Sequence, residues 1–141
     1  MNVIKIRDRG RNLKASDINK IFGIKKNNYS VQEIYLNFNN KAEKYYYFLI
    51  KNINKYKVLN KLYLFDCISK NIIMNFIERI SKLYLLEKIY IIINDKLSNQ
   101  EIKSIKKLLP IAEVKIDIKE KKSIITQNFV KDRNDDIFEI F

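Results

Sequence analysis

The nine residues VQEIYLNFN from Val31, LNKLYLFDC from Leu59 and LEKIYIIIN from Leu86 are three copies of one pattern. Each has aliphatic residues at positions one, four and six, Tyr at five and Asn or Cys at nine, and the starts lie 28 and then 27 residues apart. Near-constant spacing, with Tyr at position five every time, sets the copies apart from chance matches in a chain rich in Ile and Leu. A fourth copy, IAEVKIDIK from Ile111 to Lys119, begins 25 residues later, keeping the aliphatics and losing the Asn. The N-terminal MNVIKIRDR is a fainter copy 30 residues before Val31.

Side chains alternate across a strand, so positions four and six of each copy point to one side and five and seven to the other. Ile34 and Leu36, Leu62 and Leu64, and Ile89 and Ile91 are therefore expected in the core. The segments between the copies carry helical periodicity, as in Phe48, Leu49 and Ile53, or Ile73, Phe76, Ile77, Ile80 and Tyr84. Ser98 and Glu101 have the spacing of a capping box, Leu97 is placed to staple against Ile102, and Pro110 stops that helix. Ser16 is positioned to cap a short helix through Phe22, ended by Gly23. The unit is strand, helix, strand. Each such unit buries its apolar face only against its neighbours, with a parallel sheet on one side and helices on the other.

The pattern resembles the leucine-rich repeat family, whose unit reads L-x-x-L-x-L-x-x-[NC]-x-L. In length, Asn/Cys alternation and helical second halves it is most similar to ribonuclease-inhibitor-like or bacterial-type repeats. It departs from the family two residues after position nine, where Lys41, Ser69 and Lys96 stand in place of Leu. The resemblance implies an α/β fold: a short solenoid with a parallel sheet of about four to five strands on its concave side and helices on its convex side. It implies one domain: 1–30 as N-terminal cap or partial repeat, 31–58, 59–85 and 86–110 as repeats, 111–119 as the last repeat strand, and 120–141 as C-terminal cap or tail. It also implies that Asn39, Cys67 and Asn94 sit at strand ends, where they bond the bend or pack, making Cys67 a buried structural thiol.

Composition removes most catalytic chemistries. The chain has no His, so Ser-His-Asp and Cys-His nucleophiles have no base, and with a single Cys a structural zinc site is not expected. Two Gly residues do not make a phosphate-cradling loop, and Asp135 and Asp136 fall in a polar tail. No enzyme activity, cofactor or metal is expected. One Cys also points to a reducing compartment. The charged start MNVIKIRDRGRNLK does not read as a secretory signal, and no aliphatic run is long enough for a bilayer, so a soluble cytoplasmic protein is expected.

Function then falls to side chains outside the core. Position five gives Tyr35, Tyr63 and Tyr90, predicted to stand side by side on the open face of the sheet with Asn37, Phe65, Ile92 and Asp66 around them. An exposed aromatic patch of this kind suits a protein partner. With a net charge of +12, that partner is expected to present an acidic surface. An adaptor, or an immunity-type protein that neutralises a cognate toxin, fits such a module. Against this stands the possibility that the stripe serves only to stabilise the sheet. A second function class is nucleic-acid binding through the basic N-terminal residues Lys5, Arg7, Arg9, Arg11 and Lys14 together with exposed tyrosines. At position three, Glu33 is expected to face Lys61, and Lys88 to face Glu113, as exposed register pairs of little energetic weight.

Overall fold

The computed structural model describes residues 3–7, 30–38, 43–118 and 122–128, and the account below concerns these. Strands β1 (Val3–Arg7), β2 (Glu33–Asn37), β3 (Lys61–Ile68), β4 (Lys88–Ile93), β5 (Glu113–Ile118) and β6 (Lys122–Gln127) form one sheet in the order in which they occur along the chain. The helices are α1 (Glu43–Asn52), extended by a 3-10 turn at Ile53–Lys55, then α2 (Lys70–Ile80) and α3 (Asn99–Leu108). The first five strands pair in parallel, and β6 returns antiparallel to β5. The sequence expectation of four to five parallel strands thus needs a correction at its end: part of the segment expected as cap or tail is a sixth strand of opposite direction. Only a short link separates β5 from β6, and a parallel return requires a crossover of a dozen residues or more.

The repeat copies pair slot for slot over their first half. Ile34 stands beside Leu62, Leu62 beside Ile89, and Ile89 beside Val114, all fully or almost fully buried. Leu36 pairs with Leu64, and Ile91 with Ile116, all four buried. These side chains share one core with Tyr46, Leu49 and Ile53 of the first helical segment, Ile73, Phe76, Ile77 and Ile80 of α2, and Ile105 of α3. Burying each such aliphatic side chain is worth about 1.5–3 kcal/mol, so this face dominates the stability of the fold. The pairing also continues into the loops ahead of the strands. The Gln32 carbonyl accepts from Asn60 and Lys61 N–H, the Asn60 carbonyl from Glu87 and Lys88, and the Glu87 carbonyl from Glu113.

The helix ends follow local chemistry. Ser98 Oγ accepts from Glu101 N–H at 3.1 Å while the Glu101 carboxylate accepts from Ser98 N–H at 2.8 Å, completing the expected capping box. The bond from Ser98 N–H holds the Glu101 carboxyl below its ordinary range. Helix α3 ends at Leu108, two residues ahead of Pro110. Helix α2 stops sooner than its apolar run suggests. Turns close from Lys82 N–H to the Arg79 carbonyl and from Leu83 N–H to the Ile80 carbonyl, so Leu83 fills the core and Tyr84 is turned out, 83% exposed. The helix expected from Ser16 to Phe22 lies outside the described residues.

Candidate functional site

The face of the sheet opposite the helices carries the three tyrosines. Tyr35 and Tyr63 stack with ring centroids 5.0 Å apart and planes inclined by 20°, and Tyr63 and Tyr90 follow at 6.3 Å and 26°. The predicted stripe is therefore present on the predicted side. Its exposure is not: Tyr35, Tyr63 and Tyr90 are 6%, 0% and 6% exposed. They form a second apolar cluster with Val3, Phe65 and Ile92. The Lys5 ammonium lies 5.4 Å from the Tyr35 ring centre at one end of the stack, and Lys115 lies 5.8 Å from that of Tyr90 at the other. Rings stacked this closely shield one another's faces, and two of the hydroxyls are tied down as well. Tyr35 donates to Glu33, and Tyr90 donates to Asp117 Oδ2 at 2.9 Å. The other Asp117 oxygen accepts from Ser123 of β6 at 2.8 Å. Burial, then the adjacent Asp117 charge, pushes the Tyr90 phenol well above its usual range. Parallel sheets usually bury side chains on both faces, and here each face has its own buried cluster.

Asp66 requires a second correction. Position eight has the parity of positions four and six, which puts its side chain on the helix side, 2% exposed. There its carboxylate accepts the Phe38 N–H, at 2.9 and 2.8 Å to its two oxygens, and the Tyr46 hydroxyl. It ties the end of β2 to α1. Burial first, then the Asp66 charge, raises the Tyr46 phenol well above its ordinary value.

Strand β3 also carries two extra residues. Tyr63 pairs with Tyr90, yet Cys67 pairs with Ile92, so the repeat template loses register beyond position five. This bulge sets Phe65 over the stack, 6.1 Å from Tyr63 and 5.5 Å from Tyr90. It also puts Cys67, only partly buried, beside Ile92 instead of at the Asn94 slot that the resemblance implied. Asn94 itself has an exposed side chain, and Asn39 lies outside the described residues.

Of the other expected residues, Asn37 is 9% exposed, while Phe65 and Ile92 are half-buried. Lys5 and Arg7 are exposed on β1; Arg9, Arg11 and Lys14 lie outside the described residues. Both register pairs form, Lys61 with Glu33 at 4.0 Å and Lys88 with Glu113 at 3.8 Å. The second is not the exposed pair expected, because Lys88 is 2% exposed.

The surface that sequence reasoning missed lies at the edge where the parallel strands begin. Tyr84 at 83%, Leu85 at 42% and Ile111 at 90% exposure border an open groove of about 460 Å³, with Lys61, Lys88 and Glu113 along its wall. Ile111 holds position one of the fourth copy, where Val31, Leu59 and Leu86 are buried. The available signal was that residues 120–141, after the fourth copy, do not repeat the pattern, so they bring no matching aliphatic slot beside Ile111.

Among the described residues, no helix is long and apolar enough to cross a membrane, and no group of three or more His, Cys, Asp or Glu is placed to hold a metal ion. Comparison with known proteins returns no matching family model, curated protein or solved structure.

Proposed function

We propose that the chain is a small leucine-rich-repeat solenoid acting as a non-enzymatic protein-binding module. An adaptor, or an immunity-type protein that neutralises a cognate toxin, suits this architecture. Three features support the repeat assignment: five parallel strands in chain order, a core shared by all three helices on one face, and a carbonyl at position two that serves the next unit in three successive copies. The observation that carries the binding function is the grouping of Tyr84, Leu85 and Ile111 around one groove; among the described residues, the other large apolar side chains, Tyr47 apart, are buried or half-buried. The two buried carboxylates already have structural work: Asp66 holds Phe38 and Tyr46, and Asp117 holds Tyr90 and Ser123. The tyrosine stack offers a partner little area in this conformation and acts as a stiffener of the sheet.

A second reading, a nucleic-acid binder, draws on Lys5 and Arg7, exposed on the edge strand β1, and on the net charge of +12. Affinity capture of the tagged full chain from its native cells, with and without nuclease, separates the two. The protein-binding reading predicts a stoichiometric protein that survives nuclease treatment. Recovery that disappears with nuclease contradicts it.

A further inference from the structure

We infer that the groove beside Tyr84, Leu85 and Ile111 receives an acidic protein segment that inserts an apolar side chain, an inference that rests on the protein-binding reading above. The apolar half of the argument is the exposure already described. Isolated exposed apolar residues are common on soluble proteins, but three large ones bordering one groove are not scattered.

The charge half follows from topology. The strands of the stack are parallel and each helix returns the chain to start the next strand, so every helix C-terminus lies at the edge where the groove opens. Lys51, Lys106 and Lys107 are exposed in the last turns of α1 and α3, and Lys57 and Lys82 are exposed in the loops that follow α1 and α2. Lysines in a last helical turn have a local reason to be there, the negative end of the helix dipole. Lys57 and Lys82 lie beyond the helices, where that reason is weaker. In the groove wall itself Glu113 is paired to Lys88 and Lys61 to Glu33, leaving Glu87 as the exposed acid, so the positive charge comes from the exposed lysines at the same edge of the sheet. The rim therefore favours an anionic partner.

Protein is the better fit than nucleic acid on the chemistry of the exposed apolar surface. Only Tyr84 offers a ring on which a base could stack, whereas Leu85 and Ile111 offer aliphatic surface that an apolar protein side chain covers and a nucleic acid does not. An Asp- or Glu-bearing segment engages the lysine rim and places a Leu, Ile or Phe against Tyr84 and Ile111.

The test is selection of a displayed random-peptide library on the immobilised full chain. The Kd of each enriched peptide is then measured for the wild type and for a Tyr84→Ser/Ile111→Ser double variant, with circular dichroism confirming that the variant folds. Both positions are highly exposed, so folding should be kept. The expected result is enrichment of peptides that combine acids with a large apolar residue, with affinity falling roughly tenfold or more in the double variant and weakening in Lys82→Glu. Enriched peptides that bind the double variant as tightly as the wild type would overturn the groove while leaving the protein-binding reading intact. Enriched peptides without acids would overturn the choice of partner. If no peptide is enriched, the groove proposal fails, and if a single-stranded oligonucleotide binds instead, the protein-binding reading fails with it.

Discussion

Leu86 and Ile111 fill the same slot of two consecutive units, two residues ahead of the paired Lys88 and Glu113, yet one is 8% exposed and the other 90%. Residue type does not explain the difference, since both are branched aliphatics. The neighbours do. Leu86 has a further βα unit beyond it and packs into the common core with Leu109 and Ala112. Beyond β5 the chain turns back as β6, whose Gln127 side chain donates to the Leu109 and Ala112 carbonyls at 2.6 and 3.1 Å. The loop backbone is satisfied in this way, but no aliphatic slot is supplied for Ile111. Asn128 follows in a left-handed conformation at φ 53°, which Asn tolerates better than most residues. The same change of character runs up the strand. Where β4 has Tyr90 and Ile92, β5 has Lys115 and Asp117. Burial of the position-one slot is set by the neighbours on either side of it, and β6 supplies none for Ile111.

Substitutions can break this contrast. The largest effect is expected in the middle of the tyrosine stack. Tyr63→Ala removes a fully buried ring flanked on both sides and should cost about 3–5 kcal/mol in urea denaturation, whereas Lys115→Ala, two strands on in the same row, should cost about 1 kcal/mol or less. Similar losses at the two positions would mean that the terminal unit is packed like the inner ones. Next comes Asp117→Ala, which strips the partner from the Tyr90 and Ser123 hydroxyls and should cost about 1–3 kcal/mol; removing Ser123 alone should cost less.

The smallest effect is seen at alkaline pH. Burial raises Tyr56 to about 12 and holds Tyr46 and Tyr90 above their ordinary value, so the unfolded chain gives up these phenol protons first. Stability should be level below about pH 10 and fall as the pH rises through about 12, and Tyr56→Phe should flatten that decline. An unchanged slope in the variant would show that the Tyr56 phenol titrates alike in both states.

Much of the fold is readable in the chain because its repeats state the same instruction several times. Position four and six aliphatics, the Ser98 cap and the two position-three ion pairs need only local periodicity and spacing, and all are found where those rules put them. The candidate site is less readable for three physical reasons. Parity was available for Asp66, whose position eight shares a face with the core, but a carboxylate reads as surface until its partners Phe38 and Tyr46 are seen. The unbroken apolar run Ile89–Ile93 of β4 carried the sign of a strand buried on both faces, as Tyr90 is. The bulge in β3 and the exposure of Ile111 depend on how neighbouring units meet, and no nine-residue window contains that.

Paired urea denaturation of Leu86→Ala and Ile111→Ala tests the account most directly, because both substitutions shorten an aliphatic chain in the same repeat slot. Burial of Leu86 beside an exposed Ile111 predicts a loss of about 2–5 kcal/mol for Leu86→Ala and a change within about 0.5 kcal/mol for Ile111→Ala. Equal, large losses would place Ile111 inside a packed core, and both the open groove and the partner assigned to it would be wrong.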